Sequence, residues 1–208
     1  DVQIEVLVIA CNTASACAIP ALRKNYPAIP VLGVVEPGAQ AAVNASKTGS
    51  IGVIGTEGTV NSNSYAAAIL ALNPSARVVQ KPCPLLVPLA EVGWLDHEVT
   101  ELTLQTYLKP LIEGTGDHDP IDTLVLGCTH YPALKPAIRK TLRNMAPDRS
   151  IALVDSAEAV TVELSKLTGK KPGMGSRRIF VTDLPQRFTR VANTFWQGPL
   201  PEATHVDL

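Results

Sequence analysis

Two short stretches with the same pattern, each an apolar run that ends in a cysteine, constrain this sequence more than any other feature. The first is Glu5-Val-Leu-Val-Ile-Ala-Cys11 and the second is Asp122-Thr-Leu-Val-Leu-Gly-Cys128. Aligned on the cysteines, both have an acidic residue, a spacer, Leu-Val, an aliphatic residue and a small residue before the thiol. Continuous apolar runs of this length are typical of strands buried in a parallel sheet, so we expect two strands that each lead into a thiol.

Strand-like and helix-like segments alternate along the rest of the chain. The predicted strands are Val6–Ala10, Ile29–Val35, Ile51–Ile54, Ala76–Gln80, Leu85–Ala90, Thr123–Gly127, Ile151–Val154 and Arg178–Thr182. The predicted helices are Ala14–Lys24, Ala39–Ser46, Ser62–Leu72, Asp96–Glu113, Leu134–Met145, Ala157–Leu167 and Gln186–Phe195. This alternation predicts an α/β fold with mostly parallel sheets flanked by helices. Right-handed crossovers would place both cysteines at the carboxyl edge of the strands, where such folds carry their sites.

Composition excludes several classes of protein. The chain has 208 residues, 46% of them hydrophobic and 18% charged, with a net charge of -1 and no basic stripe, so a nucleic-acid partner is not expected. No apolar run is long enough to cross a membrane, and no basic segment followed by an apolar run indicates a signal peptide. Four widely spaced cysteines do not form a disulfide framework, and a reducing cytoplasm is the expected compartment.

Each cysteine of the matched pair lies between a strand and the following helix, a position that suits both proton transfer and anion binding. Free backbone N–H groups at the start of a helix lower the pKa of a thiol and hold a carboxylate. Hydroxyl, amide and imidazole groups follow both thiols, in Asn12, Thr13, Thr129 and His130. An enzyme that removes a proton from one face of a carbon and returns one to the other face needs two such groups. His130 is placed to exchange a proton with Cys128 or to supply a positive field.

Other interpretations of the cysteines remain open at this point. A cysteine at the end of a strand is often a small hydrophobic residue, and this packing role is the one favoured for Cys17 and Cys83. A zinc site needs four ligands, whereas Cys128 and His130 supply two at poor spacing, so no metal is expected. A hydrolase nucleophile would need an elbow such as Gly-x-Ser-x-Gly, which this sequence lacks. The matched context of the two thiols favours a chemical role for both.

Two motifs, Ala10-Cys11-Asn12-Thr13-Ala14-Ser15 and Gly127-Cys128-Thr129-His130-Tyr131-Pro132, resemble those of the glutamate racemase family. Further similar segments are Gly33–Gly38, Ile51–Thr56, Cys83–Glu91 and Val154–Ala157. The resemblance implies two similar α/β domains with the active site in the cleft between them. Transferred to this chain, residues 1–33 and 150–208 make the first domain and residues 34–149 make the second.

The resemblance also implies roles for individual residues. Cys11 matches the cysteine that serves D-glutamate, Cys128 the one that serves L-glutamate, His130 the histidine that assists Cys128, and Glu91 a glutamate near the site. Positions that match substrate-binding residues are Asn12, Thr13, Thr129 and His130, with Thr56 and Thr59 as further candidates. The implied activity is racemisation of glutamate without pyridoxal phosphate or another cofactor. Its implied setting is the bacterial cytoplasm, where D-glutamate supports peptidoglycan synthesis, cell wall biogenesis and cell shape, and a homodimer is the implied assembly.

Two motifs of the family do not occur in these 208 residues: an Asp-Ser-Gly-x-Gly-Gly loop, whose aspartate assists the first cysteine, and a later Pro-Tyr-Gly segment. Because Asp1 stands only a few residues before the first cysteine strand, we expect the amino-terminal part of the first domain to be missing. Two alternatives therefore stay beside a glutamate racemase. One is an aspartate racemase or another twin-cysteine enzyme, and the other is a truncated inactive form of glutamate racemase.

Overall fold

A computed structural model describes residues 4–114, 119–169, 175–196 and 198–207 of the chain, and shows the predicted α/β fold. The strands are β1 Leu7–Ile9, β2 Val31–Gly33, β3 Ser50–Gly55, β4 Arg77–Pro82, β5 Thr123–Gly127, β6 Ala152–Asp155, β7 Ile179–Val181 and β8 Ala203–His205. The helices are α1 Asn12–Asn25, α2 Val35–Ala45, α3 Glu57–Asn61, α4 Ser64–Leu72, α5 Leu86–Glu91, α6 Glu98–Glu113, α7 Lys135–Met145, α8 Ser156–Thr168 and α9 Pro185–Phe195. Tyr131–Leu134 forms a 3-10 turn before α7.

The largest sheet is parallel and has the strand order β4-β3-β5-β6. All residues of β3 and β5 are buried, as expected for strands with neighbours on both sides and helices on both faces. One core cluster lies between the sheet and α5, α6 and α7, and a second lies between the sheet and α2 and α4. Because β3 and β5 end together at the pair Gly55 and Gly127, the loops that follow them start side by side.

Two smaller parallel sheets complete the described fold. β1 pairs with β2 in the register Leu7 to Val31, and β7 pairs with β8 in the register Ile179 to Ala203. The residues of β1 are only partly buried, in contrast to those of β5. The two cysteine strands therefore lie in two different sheets, and the loops after them must meet for both thiols to share one site.

Strand β6 lies within the range that the sequence predicts for the first domain, yet it pairs with β5 along Thr123 to Ala152 through Leu126 to Asp155. The four-stranded sheet thus extends beyond the predicted boundary at residue 150. Helix α8, which follows β6, packs against α2. The division of the chain into two domains stays a prediction.

The structure corrects the prediction of a strand at Leu85–Ala90. This segment forms helix α5, whose buried residues Leu86, Leu89 and Ala90 have the spacing of one helical face. A short apolar run cannot be assigned to strand or helix from its periodicity alone, and the prediction of a strand is therefore wrong here. Helix α3 and strand β8 were also absent from the prediction, and both are short.

None of the helices in the described parts of the chain combines the length and the apolar character that crossing a membrane requires.

Candidate active site

Cys128 lies at the point where the central strand β5 gives way to the 3-10 turn, and it is 6% exposed. The residue before it must be small, since a Cβ on Gly127 would lie 2.8 Å from the carbonyl oxygen of Ile54. Neighbouring strands therefore hold the backbone on the amino-terminal side of the thiol. Cys128 has little freedom to move relative to the sheet.

The environment of the Cys128 sulfur favours the protonated thiol. Burial raises the pKa of Cys128, backbone N–H groups of the following turn act against this, and the nearby Cys11 raises it further. Nδ1 of His130 lies 3.9 Å from the sulfur. Because the thiolate is disfavoured, a base close to the sulfur is needed before Cys128 can accept a proton from a substrate.

His130 is held between Cys128 and Glu91. Its Nε2 lies 3.1 Å from Oε1 of Glu91, the last residue of α5, and both side chains are partly buried. A carboxylate can only accept this hydrogen bond, so Nε2 carries the proton and Nδ1 of the neutral ring is free to accept one. The ring of Phe195, from α9, meets the imidazole edge-on with ring centroids 5.4 Å apart.

Cys11 lies at the start of α1, where its backbone is extended and its side chain is exposed. Its carbonyl accepts the first helical hydrogen bond, from Ser15. The N–H groups of the first turn, including those of Asn12 and Thr13, have no partner inside the helix and form a suitable place for an anion. The Asn12 side chain is buried and engaged elsewhere, as Oδ1 accepts from Tyr65 and Nδ2 donates to Ser156.

Three threonine hydroxyls form a cluster between the loops that follow β1 and β3. The Thr13 hydroxyl lies 2.9 Å from that of Thr56 and 3.0 Å from that of Thr59, and the latter two are 3.1 Å apart. Thr56 also caps α3, since its hydroxyl accepts a hydrogen bond from the Thr59 N–H. The cluster can donate hydrogen bonds to a substrate as well as accept them.

The two cysteine loops meet at one cavity of about 170 Å³. It is lined by Cys11, Asn12, Thr13, Thr56, Thr59, Val87, Gly127, Cys128, Thr129 and His130. All the predicted site residues except Glu91 line this cavity, and Glu91 joins it through His130. This lining contains no Lys or Arg, so the donors available from it to a carboxylate are N–H and hydroxyl groups. Among the described residues, no group of three His, Cys, Asp or Glu side chains is arranged to hold a metal ion.

Sequence reasoning missed several residues around the cavity. Val87 lines the cavity from α5, and Phe195 contacts His130. Tyr65 and Ser156 form hydrogen bonds with the Asn12 side chain. These residues come from four helices spread along the chain, and their local sequences carry no motif for chemistry. Only the folded arrangement brings them to the cysteines.

The fold and the cavity define a class of protein: an α/β protein in which two cysteines at the carboxyl ends of parallel strands line one cavity. The sequence model of the Asp/Glu/Hydantoin racemase family matches residues 2–164, which is most of the chain. The chain belongs to this family.

Relatives with curated names agree with this assignment. A glutamate racemase from Geobacter metallireducens is 47% identical over 99% of this chain and 74% of its own length. A glutamate racemase from Syntrophus aciditrophicus is 44% identical over the same shares of the two chains.

Solved structures show the same relationship. A glutamate racemase isoform from Bacillus anthracis superposes with a TM-score of 0.84 at 37% identity, over 99% of this chain and 74% of that one. A glutamate racemase from Francisella tularensis, solved in complex with D-glutamate, has a TM-score of 0.80 at 32% identity, over 98% of this chain and 74% of that one. The α/β fold and the family expected from the sequence are thus confirmed.

Proposed function

We propose that this chain interconverts L-glutamate and D-glutamate by proton transfer between Cα of the substrate and two cysteine thiols. The observation that carries the proposal is that Cys11 and Cys128, 117 positions apart in the sequence, line one cavity from the ends of strands in different sheets. The names of the relatives supply the substrate, and the Francisella protein was solved with D-glutamate. Two acid–base groups on opposite sides of one carbon are what inversion of a stereocentre requires.

In the direction from L-glutamate, Cys128 is the base. His130 accepts the thiol proton on Nδ1, and Glu91, bonded at Nε2, stabilises the resulting imidazolium. The Cys128 thiolate then takes the Cα proton and leaves its electron pair on the substrate as a carbanion. The Cys11 thiol delivers a proton to the opposite face, which yields D-glutamate and a Cys11 thiolate. In the reverse direction the two cysteines exchange roles.

Neutral donors hold the substrate in this scheme. The free N–H groups of the first turn of α1 bind one carboxylate, with the positive end of the helix directed at it. The hydroxyls of Thr13, Thr56, Thr59 and Thr129 complete the polar contacts. A Cα proton is very weakly acidic, so fixed donors in the cavity must stabilise the carbanion.

The proposed biological role is the supply of D-glutamate for peptidoglycan synthesis in the bacterial cytoplasm, with the enzyme working as a homodimer. The family and the names of the relatives support the first part. Chromatography with light scattering, at the concentrations used for the activity measurement, would test the assembly.

The test is solvent deuterium incorporation at Cα of each glutamate enantiomer, measured by chiral chromatography with mass spectrometry in D2O. We expect the chain to convert each enantiomer into the other, with deuterium in the product and no reaction with L-aspartate. Cys11→Ser and Cys128→Ser should each lower racemisation at least about 10²-fold, because a hydroxyl is a much weaker acid than a thiol. Cys17→Ser is the matched control, since this exposed cysteine on α1 does not line the cavity.

Two results would contradict the proposal. If neither enantiomer incorporated deuterium, the chain would not be a racemase. If Cys128→Ser still processed L-glutamate at the parent rate, the base assigned to this enantiomer would be wrong.

A further inference from the structure

A chain of buried hydrogen bonds runs beneath the cavity and connects the two cysteine loops. The Tyr65 hydroxyl, on α4, donates to Oδ1 of Asn12 at 2.6 Å, and Nδ2 of Asn12 donates to the Ser156 hydroxyl at 3.4 Å. The Ser156 hydroxyl, at the start of α8, donates to the carbonyl oxygen of Leu126 at 3.3 Å. Tyr65, Asn12 and Ser156 are at most 3% exposed, so water does not compete for these bonds.

Two members of this chain of hydrogen bonds lie next to the two thiols. Asn12 directly follows Cys11, and Leu126 is separated from Cys128 by a single glycine. The bonds therefore connect the first residue of α1 to β5, the strand that leads into the second thiol. Among the hydrogen bonds that the structure describes, this chain joins the backbone beside Cys11 to the backbone beside Cys128.

Packing holds Tyr65 in place from two sides. A Cβ on Gly38 would lie 3.0 Å from the Tyr65 hydroxyl, and a Cβ on Gly127 would lie 3.3 Å from its ring. Burial also raises the pKa of Tyr65, so the hydroxyl stays protonated and remains a donor to Asn12. Tyr65 itself does not line the cavity, and it therefore does not touch the substrate in the proposed reaction.

We infer that Tyr65 is a positioning residue that sets the place of Cys11 relative to Cys128 through the Asn12 side chain. The inference rests on the proposed function only where it concerns catalysis. The positions of the two thiols are a property of the fold and do not depend on that function. Cys128 is fixed independently by the central strand β5. Cys11 follows the partly buried three-residue strand β1 and depends more on the hydrogen bonds of Asn12. Loss of the Tyr65 hydroxyl should therefore displace Cys11 first.

The variant that tests this is Tyr65→Phe, which removes one oxygen atom from the chain of bonds. Its first readout is cross-linking of Cys11 to Cys128 by a short reagent that alkylates two thiols, such as dibromobimane, which loses one bromide to each sulfur, followed by peptide mapping. We expect the cross-linking rate to fall about tenfold, the effect of one buried hydrogen bond. This measurement needs no activity, so it separates the positioning role from the proposed function.

The second readout is the asymmetry of deuterium exchange. In Tyr65→Phe, exchange into D-glutamate with retained configuration, which begins at Cys11, should fall about tenfold. The corresponding exchange into L-glutamate, which begins at Cys128, should change less than about twofold. A loss of packing alone would lower the two exchange rates together. Tyr107→Phe, which removes a hydroxyl that does not line the cavity, is the control and should change neither rate.

Ser156→Ala is a second test of the inference, because it removes the next hydroxyl in the chain of hydrogen bonds. It should reproduce the asymmetry, and the double variant should be no worse than the stronger single one, since both changes break one unit. If Tyr65→Phe does not fold, as judged by circular dichroism, Ser156→Ala decides the question. Unchanged cross-linking in a folded variant, or an equal decrease in both exchange rates, would overturn the inference.

Discussion

The two halves of the candidate site use the same sequence pattern in different surroundings. Cys128 is buried at the end of a central strand and has a histidine and a carboxylate beside it, whereas Cys11 is exposed at the end of a short strand and begins a long helix. The difference teaches that a buried thiol needs a neighbouring base, because burial stabilises its neutral form. An exposed thiol at a helix start can instead exchange its proton with solvent.

The largest difference should appear when His130 is removed. In His130→Ala, exchange of the Cα proton of L-glutamate with retained configuration should fall about 10²-fold, because Cys128 loses the group that accepts its proton. Exchange into D-glutamate, which starts at Cys11, should fall much less. Deuterium incorporation into each enantiomer measures both rates, and His205→Ala, an exposed histidine on β8, is the control. Equal decreases for the two enantiomers would show that His130 serves both thiols.

Changing the small residue before each cysteine should lower the free energy of unfolding more in the Cys128 loop than in the Cys11 loop. Gly127→Ala introduces a Cβ 2.8 Å from the Ile54 carbonyl oxygen, and we expect it to lower the free energy of unfolding by about 1–3 kcal/mol. The matched change, Ala10→Gly, lies at an exposed position and should cost about 1 kcal/mol or less. Urea denaturation followed by circular dichroism measures both. A similar cost for the two variants would mean that the Cys128 loop is no more tightly packed than the Cys11 loop.

The acidic residues six positions before the two cysteines should also differ in how much they stabilise the fold. Asp122 accepts hydrogen bonds from the Ser46 hydroxyl at 2.7 Å and from the N–H groups of Lys47 and Thr48 at 2.7 and 2.6 Å, whereas Glu5 is exposed. We expect Asp122→Asn to lower the free energy of unfolding by about 1–2 kcal/mol at pH 7. Glu5→Gln should change it by less than about 0.5 kcal/mol.

The effect of Asp122 should depend on pH. Burial alone would raise the pKa of Asp122, but hydrogen bonds from Ser46, Thr48 and Thr123 outweigh it and lower the pKa to about 2. The unfolded carboxyl has a pKa of about 3.9, so the stabilisation is complete above that value and is lost as the pH falls through the folded value. The difference between the parent and Asp122→Asn should therefore disappear in acid. A difference that stayed constant down to the lowest pH would refute this explanation.

The smallest expected effect is that of Glu91→Gln. The amide keeps an oxygen that accepts the His130 Nε2–H bond but loses the negative charge that stabilises the imidazolium, so kcat from L-glutamate should fall about fivefold. Glu98→Gln, at the exposed start of α6, is the control for removal of a carboxylate. A decrease as large as that of His130→Ala would instead indicate that Glu91 transfers the proton itself.

The parallel α/β fold and the position of each thiol at the end of a strand could be anticipated because local sequence determines them: an apolar run, a small residue and a cysteine. The position of Glu91 could be predicted less well. The segment before it has the sequence of a strand, but in the structure it belongs to helix α5. Tyr65 and Phe195 could not be found at all, and Ser156 could be noted only as part of the similar segment Val154–Ala157, without a role. Their roles come from contacts with residues 53, 144 and 65 positions away, and no local pattern encodes such contacts.

The hydrogen bond between Asn12 and Ser156 spans 144 residues, and this separation has a consequence for how the protein matures. Contacts between distant parts of a chain form late, because the entropy of closing a long loop opposes them. During synthesis, Cys11 leaves the ribosome well before the segment that holds its neighbour Asn12 exists. The hydrogen bonds that connect the two cysteine loops therefore become complete only with α8. A newly made chain would therefore lack the contact that orients Asn12, beside Cys11, until α8 has been synthesised.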